Sequence, residues 1–145
     1  MEKQERALDR FLNGYRCSQA VLDAYAGEFG LDADLAKKIS IGLAGGAGVG
    51  GVCGAVGGGY LVLGLKYGFA HPGDPEAMAV VVEKNREFVE RFKSLHGDIR
   101  CPGLIGLDVF SEEGYREFSE KNMKQTVCAG FVRDTMAILE EMTAG

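Results

Sequence analysis

From Ile39 to Leu65 the chain carries no charged residue, and this stretch holds half of the protein's 22 glycines. Any fold must accommodate it. Gly42 to Gly51 is too rich in glycine for a stable isolated helix, because each interior glycine costs about 1 kcal/mol relative to alanine. This part is expected to be a tight loop. From about Val52 apolar residues recur at helical spacing, with Val52, Val56, Leu61 and Leu65 outlining a face. Lys66-Tyr67-Gly68 then supplies a cation in the last turn followed by glycine, a helix stop. Cys53 therefore stands at the N-terminus of a helix whose entry loop is nearly all backbone.

A membrane span and a dinucleotide-binding loop fit the stretch less well. Its 27 uncharged residues are long enough to cross a bilayer, and Gly46, Gly50, Gly54 and Gly58 form a small-xxx-small ladder. It is rich in glycine rather than leucine, however, and the flanking segments are amphipathic, so no membrane span is expected. Gly46-Ala-Gly48-Val-Gly50-Gly51 fits a dinucleotide fingerprint in outline, but that motif needs a preceding strand and an acid about 20 residues on. Asp32 to Ile41 reads as a helix, and no carboxylate stands between Asp34 and Asp74. What remains is a buried helix whose glycines let neighbouring backbone, or a site, approach Cys53.

The other segments read as helices. Residues 2–13 place Leu8, Phe11 and Leu12 on one side and charges opposite. From Cys17 a second helix carries Cys17, Val21, Tyr25 and Phe29 on one stripe and closes at Gly30. Asp32 caps a third through Ile41. Asp74-Pro75 opens a long helix to about Leu95 that buries Val81, Phe88, Phe92 and Leu95. Its Glu83, Arg86, Glu87, Glu90 and Arg91 form a solvated, salt-bridged face. Gly97 to Gly106 is a break holding Cys101-Pro102. Ser111 begins a helix to about Asn122, and the last helix runs from Lys124 to Met142 with Cys128, Phe131, Thr135, Ile138 and Met142 facing inward. No alternating strand is present, so the expected fold is all-α, a compact single-domain multi-helix bundle over residues 1–145 with a buried glycine-rich loop and helix.

A length of 145 residues suits one domain with a sizeable core. The net charge of -5 and the absence of a Lys/Arg cluster argue against nucleic acid. The N-terminus, Met-Glu-Lys-Gln-Glu-Arg, is no signal peptide, so a cytoplasmic location is expected. In that compartment four cysteines are not a disulfide framework. Cys17, Cys53, Cys101 and Cys128 are widely separated and include no Cys-x-x-Cys pair. Free cysteines are commonly just small buried hydrophobes. Against that, Cys53 and Cys101, and Cys17 as well, stand where helices begin, where the backbone N–H groups and helix dipole favour a thiolate. Cysteines from four segments can also converge in a bundle.

These residues resemble a known family, the redox-active proteins named for a C…GCAxxG…C…C pattern. The family is about as long as this chain and has four characteristic cysteines and a Cys-Gly-Ala-x-x-Gly motif. Here the motif reads Cys53-Gly54-Ala55-Val56-Gly57-Gly58. The other cysteines stand in Cys17-Ser-Gln-Ala-Val, Cys101-Pro-Gly-Leu-Ile-Gly and Val-Cys128-Ala-Gly, and the likeness runs from about Asn13 to Met142. The resemblance implies a helical protein whose cysteines do redox chemistry or bind metal.

Three functions from different classes follow. Thiolates of Cys17, Cys53, Cys101 and Cys128 would hold iron, as a [2Fe–2S] or [4Fe–4S] iron–sulfur cluster, or zinc, with the backbone of Gly54, Ala55 and Gly58 shaping the site. Alternatively the four are metal-free redox thiols, with Cys53 attacking a disulfide and a second cysteine resolving it, working with a redox partner protein. Or the cysteines are inert and the glycine-rich helix packs in a homodimer. An anion or a flavin phosphate on the Gly45–Gly51 loop is a lesser option. His71 and His96 are read as a turn residue and a helix-end residue rather than ligands. No nucleophile–base triad, phosphate loop with lysine or carboxylate pair is present, so no enzyme class follows.

Overall fold

The computed structural model describes residues 2–144. Within them lie eight α-helices and no strand. They are α1 (Lys3–Leu12), α2 (Cys17–Ala26), α3 (Ala33–Ser40), α4 (Gly54–Tyr67), α5 (Pro75–His96), α6 (Cys101–Ile105), α7 (Glu112–Glu120) and α8 (Ala129–Thr143). The all-α expectation holds, and the helix starts follow the capping chemistry. Asp32 accepts from the Leu35 amide at 3.0 Å, Asp74 from Ala77 at 2.7 Å ahead of Pro75, and Ser111 from Gly114 at 3.0 Å. Gly30 and Gly97 end their segments at φ 72° and 82°, where glycine is unstrained.

The centre is the pair α2 and α4, the most extensively packed pair of helices. From Ser18 to Ala26 every α2 residue but Gln19 is buried. Its Asp23 is buried too, held between Arg10 of α1 at 3.4 Å and Lys37 of α3 at 3.5 Å, which ties those helices to α2. In α4 the buried residues are Gly54 through Gly59 with Val62 and Leu63. The glycines admit neighbours where no side chain fits. A Cβ on Gly58 would lie 2.9 Å from Val21 Cβ and 3.0 Å from the Ser18 carbonyl oxygen, and one on Gly57 would lie 3.2 Å from Leu43. At Gly59 the same space is filled by the Phe88 ring of α5. At Gly57, Gly58 and Gly59 the helix thus forgoes about 1 kcal/mol of propensity each and recovers it in packing on three sides. At its far end the Lys66 ammonium donates to the Thr143 carbonyl at 2.8 Å and the Tyr67 hydroxyl to that of Met142 at 3.1 Å, fastening α4 to α8.

Several expected faces are shifted. Val52 lies before α4, Leu65 is exposed, and the buried face is Val56, Gly59, Val62 and Leu63. Leu12 of α1 is exposed while Ala7 and Phe11 are buried. In α5 Phe88 and Phe92 are buried, Val81 is half-buried and Leu95 is 60% exposed, because the helix end projects past the core. Of its expected charged face, Arg91 pairs with Glu87 at 2.9 Å and also reaches Glu141 of α8 at 2.7 Å. On α8, Phe131, Thr135, Ile138 and Met142 are buried as expected, joined by Val132, Met136 and Leu139. His96 is a structural clasp: its Nε2 lies 2.9 Å from Asp134, and its ring packs on Phe92 and Phe131.

The glycine loop is less buried than expected. Gly46 is enclosed, while Ala47, Gly48 and Val49 face outward, Val49 at 85% exposure. Gly45, Gly46, Ala47, Gly48 and Gly50 all have φ between 60° and 76°, so the chain coils left-handed there. Glycine bears this freely, whereas Ala47 is strained by about 1–2 kcal/mol. Among the described residues no helix is long and apolar enough to cross a membrane.

Candidate functional site

Two cysteine-bearing segments are joined by backbone alone. The Cys53 amide donates to the Ile99 carbonyl at 2.7 Å, and the Cys101 amide donates to the Gly51 carbonyl at 2.9 Å. Between them Val52 and Arg100 form an isolated antiparallel bridge. Gly46 makes this possible from below. Its carbonyl accepts from the Gly51 amide at 2.9 Å, and a Cβ on it would sit 2.8 Å from Gly51 backbone and 3.1 Å from Cys101 Cβ. The loop therefore serves to seat Gly51–Cys53 against Ile99–Cys101. Within the loop the Ala47 amide donates to the Ala44 carbonyl, and the Val49 and Gly51 amides both donate to that of Gly46.

Each cysteine occupies a helix boundary. Cys17 and Cys101 are the first residues of α2 and α6, and Cys53 is the N-cap of α4. Cys128 ends a five-residue π-helical turn, Lys124–Cys128, that runs into α8. Such turns are rare and recur at functional sites. Cys17, Cys101 and Cys128, with Gly54, line one cavity of about 360 Å³. Gly54 must be glycine there, since a side chain would run into the Cys17 sulfur and come within 3.2 Å of Ala44 Cα and the Leu43 carbonyl. Cys53 lies behind this wall, buried, close enough to feel the charge of Cys17.

The expected thiolate stabilisation is outweighed. The Gly45, Ser18 and Ala55 amides face the Cys17 sulfur, and those of Ala55 and Val56 face Cys53, all favouring the charged form. Burial works against them and wins at all four positions. Cys101 is pushed up to about 11 and Cys128 to about 12 by burial, with the neighbouring charge of Cys17 adding to both. Cys17 is raised by burial, and Cys53 by burial and by the charge of Cys17. A thiolate on Cys17 would thus oppose ionisation of each of the other three. At neutral pH the resting site is four neutral thiols.

The sequence-derived residues separate into groups. Cys17, Cys101, Cys128 and Gly54 meet at the cavity, and Ala55 presents its amide to Cys17 and Cys53. Gly58 packs on α2 instead. Among the described residues, no group of three or more His, Cys, Asp or Glu side chains is placed to hold a metal ion. Sequence reasoning missed the two cations on the cavity wall, Arg16 and Lys124, and the aromatic wall of Phe110, Tyr115 and Phe118. A local signal existed for the cations, since Arg16 precedes Cys17 directly and Lys124 precedes Cys128 by one turn.

No curated protein and no solved structure matches the chain significantly. A family model does match, described as "Putative redox-active protein (C_GCAxxG_C_C)", over residues 15–142. Its label writes Gly-Cys-Ala where this chain has Cys53-Gly54-Ala55. Since the matched span takes in all four cysteines and nearly the whole helical fold just described, the chain belongs to this redox-active family.

Proposed function

We propose that the protein is a thiol-based redox protein that exchanges two electrons with a disulfide at the cavity beside Cys17. The supporting observation is that three of the four cysteines line one cavity while Cys17 is coupled by charge to all the others. Cys101 is the favoured attacking group, because it faces the cavity at a helix start and its thiol is raised less than those of Cys53 and Cys128. Its thiolate attacks one sulfur of an incoming disulfide, the S–S bond breaks, and the departing sulfur takes a proton. Cys17 then attacks the Cys101 sulfur of the mixed disulfide and releases the second thiol. Two protein thiols become one disulfide, and the substrate disulfide becomes two thiols. Cys53, buried behind Gly54, is a reserve for exchange rather than the first nucleophile.

The test is to treat native protein, purified without oxygen, with a small disulfide, and to map the bonds formed by mass spectrometry alongside iron, zinc and sulfide assays. A Cys17–Cys101 disulfide is expected, and Cys17→Ser should trap the mixed disulfide on Cys101. Thiols that stay inert while the protein is folded would overturn the proposal in favour of a structural role. Iron with acid-labile sulfide and visible charge-transfer absorption would replace it with a thiolate-held cluster.

A further inference from the structure

The cavity wall carries a selectivity that the thiols do not require. Arg16 and Lys124 stand on it with no Asp or Glu among the lining residues. Neither cation is in an ion pair among the described residues; Lys124 instead sits over the Phe11 ring, 5.0 Å from its centre. The nearest acid felt at the thiols is Asp108, beside Cys101. With the thiols neutral, the lining is positive, and the rest of the wall is apolar and aromatic. The volume is that of a small-ligand site.

Building on the thiol-redox reading, we infer that the cavity admits a small organic disulfide with an aromatic or apolar body and a carboxylate, the carboxylate being held by Arg16 and Lys124. A guanidinium and an ammonium without carboxylate partners in a partly enclosed apolar site select an anion. The aromatic wall of Phe110, Tyr115 and Phe118 takes the body, which carries the disulfide sulfur toward Cys101. No reactant beyond the disulfide and the two protein thiols is needed.

Two disulfide probes separate the contributions. Dithiobis-nitrobenzoate is aromatic and carries carboxylates; dithiodipyridine is aromatic and neutral. In Arg16→Gln and Lys124→Gln the rate with the anionic probe is expected to fall about fivefold, while the neutral probe changes less than about twofold, which also reports an intact fold. Added salt should act in the same direction. Equal changes with both probes, or none with either, would overturn the inference and leave the redox reading standing. If native thiols react with neither probe, the redox reading fails, and binding of unreactive nitrobenzoate and nitrobenzamide, followed by NMR, decides the selectivity by itself. Tighter binding of the acid by about fivefold, lost in the two variants, upholds it; equal affinity overturns it.

Discussion

Helices α4 and α5 solve opposite problems. In α4 eight of fourteen residues are buried, and five of those eight are Gly54, Gly57, Gly58, Gly59 and Ala55, so its packing is done by neighbours leaning onto bare backbone. In α5 only Phe88 and Phe92 are buried out of 22 residues, and the packing is done by two large rings reaching outward. The two meet where the Phe88 ring occupies the space over Gly59. A glycine-rich helix is therefore not a weak one when its partners supply the bulk.

The largest break in this comparison is Phe88→Ala, which removes the ring from between the helices and should cost about 3–5 kcal/mol by denaturant melting. Adding Gly59→Ala to that variant should return about 1 kcal/mol, since the methyl enters freed space and gains helix propensity. Alone in the parent, Gly59→Ala should destabilise.

The second effect belongs to the α4 end, where the thiols cluster. Their pKa values are raised in the folded protein, so unfolded thiols ionise first, from the ordinary range near 9.0, and bind fewer protons there. Stability is thus complete below about pH 9 and declines as pH climbs through about 11 for Cys101 and about 12 for Cys128. Cys101→Ser, which does not titrate in this range, should flatten the decline by on the order of 2 kcal/mol. An unchanged alkaline slope in that variant would mean that Cys101 is not the buried, neutral thiol described above.

Within α4 itself, Gly58 and Gly64 are an internal control. Gly58→Ala must push Val21 or the Ser18 carbonyl aside, at about 1–3 kcal/mol. Gly64→Ala meets nothing within 4 Å and should stabilise by up to about 1 kcal/mol. Finally, Leu95→Lys on the projecting end of α5 should change stability by less than about 0.5 kcal/mol.

Much of α4 was legible in the sequence because glycine at this density, without charge and between amphipathic flanks, suits little besides a closely packed helix. The caps at Asp32, Asp74 and Ser111 were legible for a local reason: each interaction spans three residues. Leu95 was misplaced because periodicity gives a face but not where the core beneath it stops. The Val52–Arg100 pairing left no trace, since a single bridge is too short to impose alternation. The convergence of Cys17, Cys101 and Cys128 was read from a family resemblance, and nothing in their spacing specifies it. The thiol chemistry was inverted for a physical reason: the N-terminal dipole can be seen in a sequence, but the depth of burial that outweighs it cannot.

The Val52–Arg100 bridge closes a chain loop whose ends, Cys53 and Cys101, are 48 positions apart and enclose all of α4 and α5. Closing so long a loop costs entropy that two hydrogen bonds do not repay, so the closure draws on the packed hairpin between them. The Cys53 and Cys101 amides should then exchange with deuterium as one slow unit, at the rate at which α4 and α5 part, even though Cys101 lines a cavity. The proximity of these two sulfurs is thereby a readout of whether a distant pair of helices is zipped.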